Sequence, residues 1–151
     1  MKNLMLVIFA LFTLTTAVHA EEQTLANYLV NFDYDTRVAM KAENKELIDL
    51  LVKGKAHLID IRFKEEYEAW HMGIAKNIPL NELPNRLDEL DKNKIIVTAC
   101  PHNDRAIIAM TFLKTKGYET MYLKDGLTGL AEYLRGDVAY DFIQQLPGEA
   151  D

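Results

Sequence analysis

The chain has 151 residues, with 23 acidic side chains against 17 lysines and arginines and a formal net charge of −6 at neutral pH. That balance, on a length suited to one domain, argues against nucleic acid or an anionic membrane surface as partner. A single cysteine, Cys100, excludes an intrachain disulfide, and His57, His71 and His102 stand at no zinc-ligand spacing relative to it, so no metal site is expected.

Residues 1–20 read as an export signal: Lys2 supplies the positive start, Leu4 to Leu14 the apolar core, and Val18-His19-Ala20 the small-residue cleavage pattern. The apolar core is too short to span a bilayer, which takes about 20 residues, and no cysteine follows to accept lipid. The expected protein is therefore periplasmic or secreted, without a membrane anchor after cleavage. Residues 21–36 form an N-terminal extension carrying Leu25, Tyr28, Leu29, Val30, Phe32 and Tyr34 without clean periodicity, either a short helix packed on the domain or a docking arm.

From Arg37 the pattern becomes regular. A short extended piece is expected around Val38 to Met40. Leu47, Ile48, Leu50 and Leu51 follow on helical spacing up to Gly54, a natural C-terminal cap. A strand is expected over His57 to Ile61 and a helix over Lys64 to Trp70, with Glu65 and Glu66 in its first turn, where negative charge suits the helix dipole. Ala75 to Pro79 reads as extended, Leu83 to Leu90 as short and helical with Pro84 near its start, and Lys94 to Ala99 as a buried strand. Ala106 to Lys116 is helical and closes at Gly117. Tyr118 to Leu123 is another strand, and Leu127 to Leu134 a helix ending before Gly136. Strands separated by single helices imply an α/β domain over residues 37–136: a central, mostly parallel sheet of about five strands with helices on both faces. Residues 137–151 form a terminal segment laid over the domain, and together with the Tyr28 to Tyr34 arm they are a candidate homodimer surface.

In a parallel sheet the ligand site lies at the carboxyl ends of the strands, which is where Cys100 falls. A sulfur between a strand end and a helix start meets converging amide N–H groups and the positive end of the helix dipole, so its thiolate is expected to be favoured and its pKa lowered. The loop Cys100-Pro101-His102-Asn103-Asp104-Arg105 can curl around the sulfur if Asn103 takes a left-handed conformation. Arg105 would then lie in the first helical turn, where a cation opposes the dipole. Two readings of it stand: an anion held over the sulfur, or contact with a surface carboxylate.

The stretch Leu58-Ile59-Asp60-Ile61-Arg62, then Glu65-Glu66-Tyr67, His71-Met72-Gly73-Ile74-Ala75 and Asn77-Ile78-Pro79, resembles the leading motif of rhodanese-like domains. The Cys100 to Arg105 loop and Tyr122-Leu123-Lys124-Asp125-Gly126-Leu127 fall where that family places its active loop and closing glycine turn, so the resemblance runs from about Val38 to Gly136. It implies a sulfurtransferase or sulfane-sulfur carrier without a cofactor. Cys100 is then the nucleophile that holds a persulfide, the amides of Pro101, His102, Asn103, Asp104, Arg105 and Ala106 cradle it, and Arg105 orients anionic donors. Asp60 and Arg62 match the family's strand-end pair and brace loops near the site. The implied partners are a small sulfur donor (persulfide, polysulfide or thiosulfate), a thiol or cyanide acceptor, and a protein sulfur partner.

Asn103 stands where active thiosulfate sulfurtransferases of the family commonly have glycine, and Asp104 adds a carboxylate where they add basic residues. A carboxylate there should repel a doubly charged donor and make thiosulfate a poor one. Phosphatases and arsenate reductases of related architecture use Cys-x5-Arg, one residue longer than the loop here, a width suited to a tetrahedral oxyanion. A papain-like Cys–His reading is disfavoured because Cys100 and His102 share one tight loop and no third group orients the base. The non-enzymatic alternative is a rhodanese-like docking or regulatory module, against which the retained Cys100 weighs.

Overall fold

The computed structural model describes residues 23–147, so the export segment expected over residues 1–20 and the last residues, 148–151, lie outside it. Five strands form one sheet in the order β1-β5-β4-β2-β3, and every neighbouring pair is parallel. The strands are β1 (Lys41–Ala42), β2 (Ala56–Asp60), β3 (Ala75–Asn77), β4 (Ile95–Ala99) and β5 (Thr120–Leu123). β4 is central and almost wholly buried, which explains why Ile95-Ile96-Val97-Thr98-Ala99 reads as a continuous apolar run instead of an alternating one.

Alternate residues of the strands feed two cores, because successive strand side chains point to opposite faces. One face gathers Ile59, Ile61, Ile96, Cys100 and Tyr122 under α5 (Asp104–Thr115), which contributes Ala106, Ala109, Met110 and Leu113. The other gathers Ala42, Leu58, Val97, Ala99 and Leu123 under α3 (Asn44–Val52) and α6 (Gly126–Tyr133), through Leu47, Leu127 and Leu130. Gly54 and Gly117 terminate α3 and α5 with φ of 63° and 77°, the left-handed region that a side chain disfavours.

Two local expectations need correction. The extended piece placed at Val38 to Met40 begins later: Tyr34–Ala39 is a helix, α2, capped by the Asp33 carboxylate on the Thr36 amide, and the strand is Lys41–Ala42. A cap bond at Asp33 holds the helix through Ala39 against the β-propensity of Val38, and pairing with β5 begins only where the Met40 carbonyl accepts from the Tyr122 amide at 2.9 Å. Leu83 to Leu90 is two 3-10 turns, Leu83–Asn85 and Leu87–Glu89, broken at Arg86, whose guanidinium bonds to Glu82 and Glu89. Of the two arrangements open for the N-terminal extension, the structure has the short helix packed on the domain, and the terminal segment lies over the domain as its sequence implies. α1 (Leu25–Val30) packs on α5 with Tyr28 buried, and α7 (Asp137–Gln145) packs on α3 with Phe142 buried.

The remaining helix, α4 (Lys64–Ala69), is tied to the end of β2 by one buried ion pair. Arg62, 1% exposed, grips the Asp60 carboxylate at 2.6 Å through its Nη2 and at 3.0 Å through its Nε. The same guanidinium donates to the carbonyls of Glu66 and Trp70 and lies 4.2 Å from the Trp70 ring centroid. Asn77 donates from its amide to the carbonyls of Asp60 and Arg62, closing the knot from β3. A buried pair of this kind is costly to break because the abandoned charge stays in the core. Arg62→Met is therefore expected to lower the stability to urea by about 3–5 kcal/mol, read as a fall in the unfolding midpoint. A loss under about 1 kcal/mol would show that the pair is not holding α4 in place.

Candidate active site

Cys100 is the first residue after β4, at the carboxyl end of the central strand, and its side chain is 0% exposed. The loop that follows is hung from its outer side. The Cys100 carbonyl accepts from the Leu127 amide at 2.8 Å, and the Pro101 carbonyl accepts from the Thr128 hydroxyl at 2.8 Å and its amide at 3.3 Å. Both donors belong to the first turn of α6, whose free N–H groups would otherwise lack partners. With the carbonyls of Cys100 and Pro101 turned toward α6, the amides of Ala106, Arg105 and His102 stand on the sulfur's side and favour negative charge on it.

Gly126 makes this approach possible. Its φ is +64°, and a Cβ placed there would stand 2.1 Å from the His102 carbonyl oxygen and 2.4 Å from that of Pro101. Asn103 adds a side-chain bond from its amide to the Lys124 carbonyl at 3.3 Å.

Two expectations about the loop change. Asn103 has φ −152°, and no non-glycine residue among those described has positive φ, so the curl needs no left-handed residue. The external bonds to α6 supply what a strained conformation was expected to supply. Pro101 contributes no amide to the cradle, since proline has no N–H, and serves through its carbonyl.

The expected fall in the thiol pKa is also overturned. Burial pushes Cys100 up, and the Asp104 carboxylate pushes the same way, while the amides of Ala106, Arg105 and His102 only partly offset them. In line with that, the Sγ–H donates to the Asp104 Oδ1 at 3.4 Å. Asp104 is itself held below the usual carboxylate range, first by the Arg105 amide and then by the thiol. Desolvation of a residue walled by α5 outweighs the amides and the dipole, and it arises from tertiary packing, not from the local sequence.

Arg105 forms a two-pronged bond with Glu66, at 2.7 and 2.9 Å. The misfit of a cation in the first turn of α5 is thus relieved by a carboxylate brought from α4. Glu66 falls below its ordinary pKa chiefly through Arg105, and Arg105 rises through Glu66. His102 is exposed, and Ala106 is fully buried with its carbonyl accepting from the Thr98 hydroxyl at 2.8 Å. Asp60 and Arg62 lie in the knot beneath α4 and join the site indirectly, since α4 carries Glu66.

Glu66 and Thr128 join the site without a local sequence signal, whereas Gly126 lies in the glycine turn that the resemblance places beside the active loop. Glu66 stands 39 residues from Arg105 and Thr128 stands 27 from Pro101, distances over which no local pattern speaks. Among the described residues, no cluster of histidine, cysteine and carboxylate side chains could hold a metal ion. No helix among them is long and apolar enough to cross a membrane.

Comparison with known proteins gives this geometry relatives. The family description "Rhodanese-like domain" matches residues 43–133. The adenylyltransferase and sulfurtransferase uba4 of Ogataea parapolymorpha is 33% identical over 103 residues, 67% of this chain and 26% of that protein. The putative sulfurtransferase YtwF of Bacillus subtilis is 28% identical over 91 residues, 56% of this chain and 88% of its own length. The chain thus spans nearly all of one relative and well under half of uba4 or of a probable molybdopterin-synthase adenylyltransferase of Porphyra purpurea, where it covers 22%. The structure of the human single-domain sulfurtransferase TSTD1 shares the fold, with TM-score 0.57 and 24% identity over 62% of this chain and 96% of that one.

Two outcomes are expected of this site. Gly126→Ala should cost at least about 2 kcal/mol, since it joins a left-handed backbone to a clash with two main-chain carbonyls; an unchanged unfolding midpoint would mean that the loop is not pressed against α6. The rate of Cys100 alkylation by iodoacetamide should climb with pH through a midpoint above about 8.5, the ordinary thiol value. A midpoint below it would show the amides prevailing over burial.

Proposed function

The chain belongs to the rhodanese-like domain family, and from that premise we propose that it transfers sulfane sulfur through a persulfide on Cys100. The observation that carries the reading is the placement of the one cysteine at the carboxyl end of the central strand and the start of α5, on a loop whose Cys100 and Pro101 carbonyls are bound by α6, so that nearby amides favour negative charge on the sulfur. Such a cradle solvates negative charge without a cofactor, and a persulfide is more acidic than a thiol, so its anion gains more from the amides than the resting thiol does.

In the first half-reaction the Cys100 sulfur forms a bond to the outer sulfur of a donor R–S–SH. The donor S–S bond breaks with its electron pair on RS, which takes the proton that Cys100 gives up. In the second, a thiol or cyanide attacks the terminal sulfur and the Cys100 sulfur leaves as thiolate. The first step, Cys–SH + R–S–SH → Cys–S–SH + R–SH, and the overall exchange with a thiol acceptor, R–S–SH + R′–SH → R–SH + R′–S–SH, need no oxidant or reductant. Persulfides, polysulfides and thiosulfate are the donor classes in scope, and a partner protein could present either donor or acceptor. The export pattern of residues 1–20 supports a periplasmic or secreted setting, where an unpaired cysteine calls for a use.

A second reading, a non-catalytic docking module, draws on the burial of the sulfur and on the upward push on its thiol. Treatment of the purified protein with polysulfide, followed by intact mass and release of sulfur to cyanide, decides between them. One added sulfur atom per chain is expected, absent from Cys100→Ser. A wild type left unmodified by persulfide, polysulfide and thiosulfate alike would leave the docking module standing.

A further inference from the structure

The charges around Cys100 do not match a site that collects small dianions. Arg105, the one cation in the loop, is occupied on both guanidinium prongs by Glu66. Asp104 is exposed, yet its carboxylate touches a sulfur that has no solvent-exposed surface of its own. The Arg105 amide favours negative charge on both the carboxylate and the sulfur. A donor therefore meets a carboxylate where it needs to deliver its sulfur, and the cation that could offset that carboxylate is already neutralised. At such separations in a partly screened setting, one charge more or less on the donor changes its affinity severalfold to many-fold.

Resting on the sulfur-transfer reading, we propose that Asp104 and Glu66 set donor specificity, Asp104 by holding the Cys100 thiol and repelling dianions, Glu66 by withholding Arg105 from them. The donor class that fits is a sulfane sulfur of low charge, a thiol persulfide or the persulfide of a partner protein, and thiosulfate is disfavoured. The transfer step is unchanged: the S–S bond of the persulfide breaks, the Cys100–S bond forms, and the proton that the thiol shares with Asp104 departs with the leaving thiol. Asp104 and Glu66 gain and lose nothing across the cycle; they are specificity and positioning residues.

Two isosteric substitutions test this. Asp104→Asn keeps an oxygen near the thiol but removes the charge. Glu66→Gln keeps an oxygen for the Phe63 amide, which the carboxylate now caps at 3.3 Å, but releases the two-pronged hold on Arg105. For each variant, kcat/KM is measured with thiosulfate and with glutathione persulfide, and the ratio of the two is compared with wild type.

The thiosulfate to persulfide ratio is expected to rise at least about tenfold in each. In Asp104→Asn the midpoint of Cys100 alkylation should also move to lower pH, because a carboxylate that favours the protonated thiol is gone. A purely structural role for either residue would scale both donors alike and leave the ratio unmoved. An unmoved ratio in both variants, in a protein whose wild type accepts sulfur from glutathione persulfide, overturns the proposal and leaves sulfur transfer intact. A wild type that accepts sulfur from neither donor overturns the sulfur-transfer reading itself, and this proposal with it.

Discussion

The site depends on which way one short loop turns its peptide groups. Each peptide offers a carbonyl to one side and, except at proline, an N–H to the other, so binding the Pro101 carbonyl from outside turns the His102 amide away from α6, while the Arg105 and Ala106 amides are set by the first turn of α5. Here the outside is the start of α6, where the Leu127 amide and the amide and hydroxyl of Thr128 take the carbonyls of Cys100 and Pro101. The same bonds satisfy helix-start donors, so one set of contacts caps α6 and shapes the cradle. Only a residue without a side chain at position 126 lets the two main chains come this close.

Charge is layered on that geometry by elements distant in sequence. α4 is carried by the buried Asp60–Arg62 pair, and its Glu66 meets Arg105 at the start of α5. The strand-end pair thus bears on the chemistry without touching it, by fixing the helix that supplies Arg105 with its counter-ion. Asp104 then decides the resting state of the sulfur together with burial, against the pull of three amides. A sulfur that rests as a thiol is less exposed to unintended oxidation, because the thiolate is the reactive form.

Much of this was legible in the residues themselves. The alternation of short apolar runs with helical stretches, and glycines at 54 and 117, gave the parallel sheet and placed Cys100 at its carboxyl edge, because both signals are local. A cradle is expected from the residues for the same reason: a strand end followed at once by a helix brings amides together near Cys100. What stayed hidden was set by contacts far apart in the chain. Neither the grip of Glu66 on Arg105 nor the suspension of Pro101 from Thr128 has a local pattern, and the dihedral expected of Asn103 was made unnecessary by that suspension. The sign of the Cys100 shift was missed because burial under α5 is a tertiary quantity, and it outweighs the local dipoles.

The most direct measurement follows the backbone amide resonances of the loop by NMR while Cys100 ionises with rising pH. If main-chain dipoles hold the sulfur, the amides of His102, Arg105 and Ala106 shift together through one midpoint, and none of them shifts with it in Cys100→Ser. Resonances of these three that stay still across the titration of the thiol would mean that the amides do not bind the sulfur, and the account of the site would fail there.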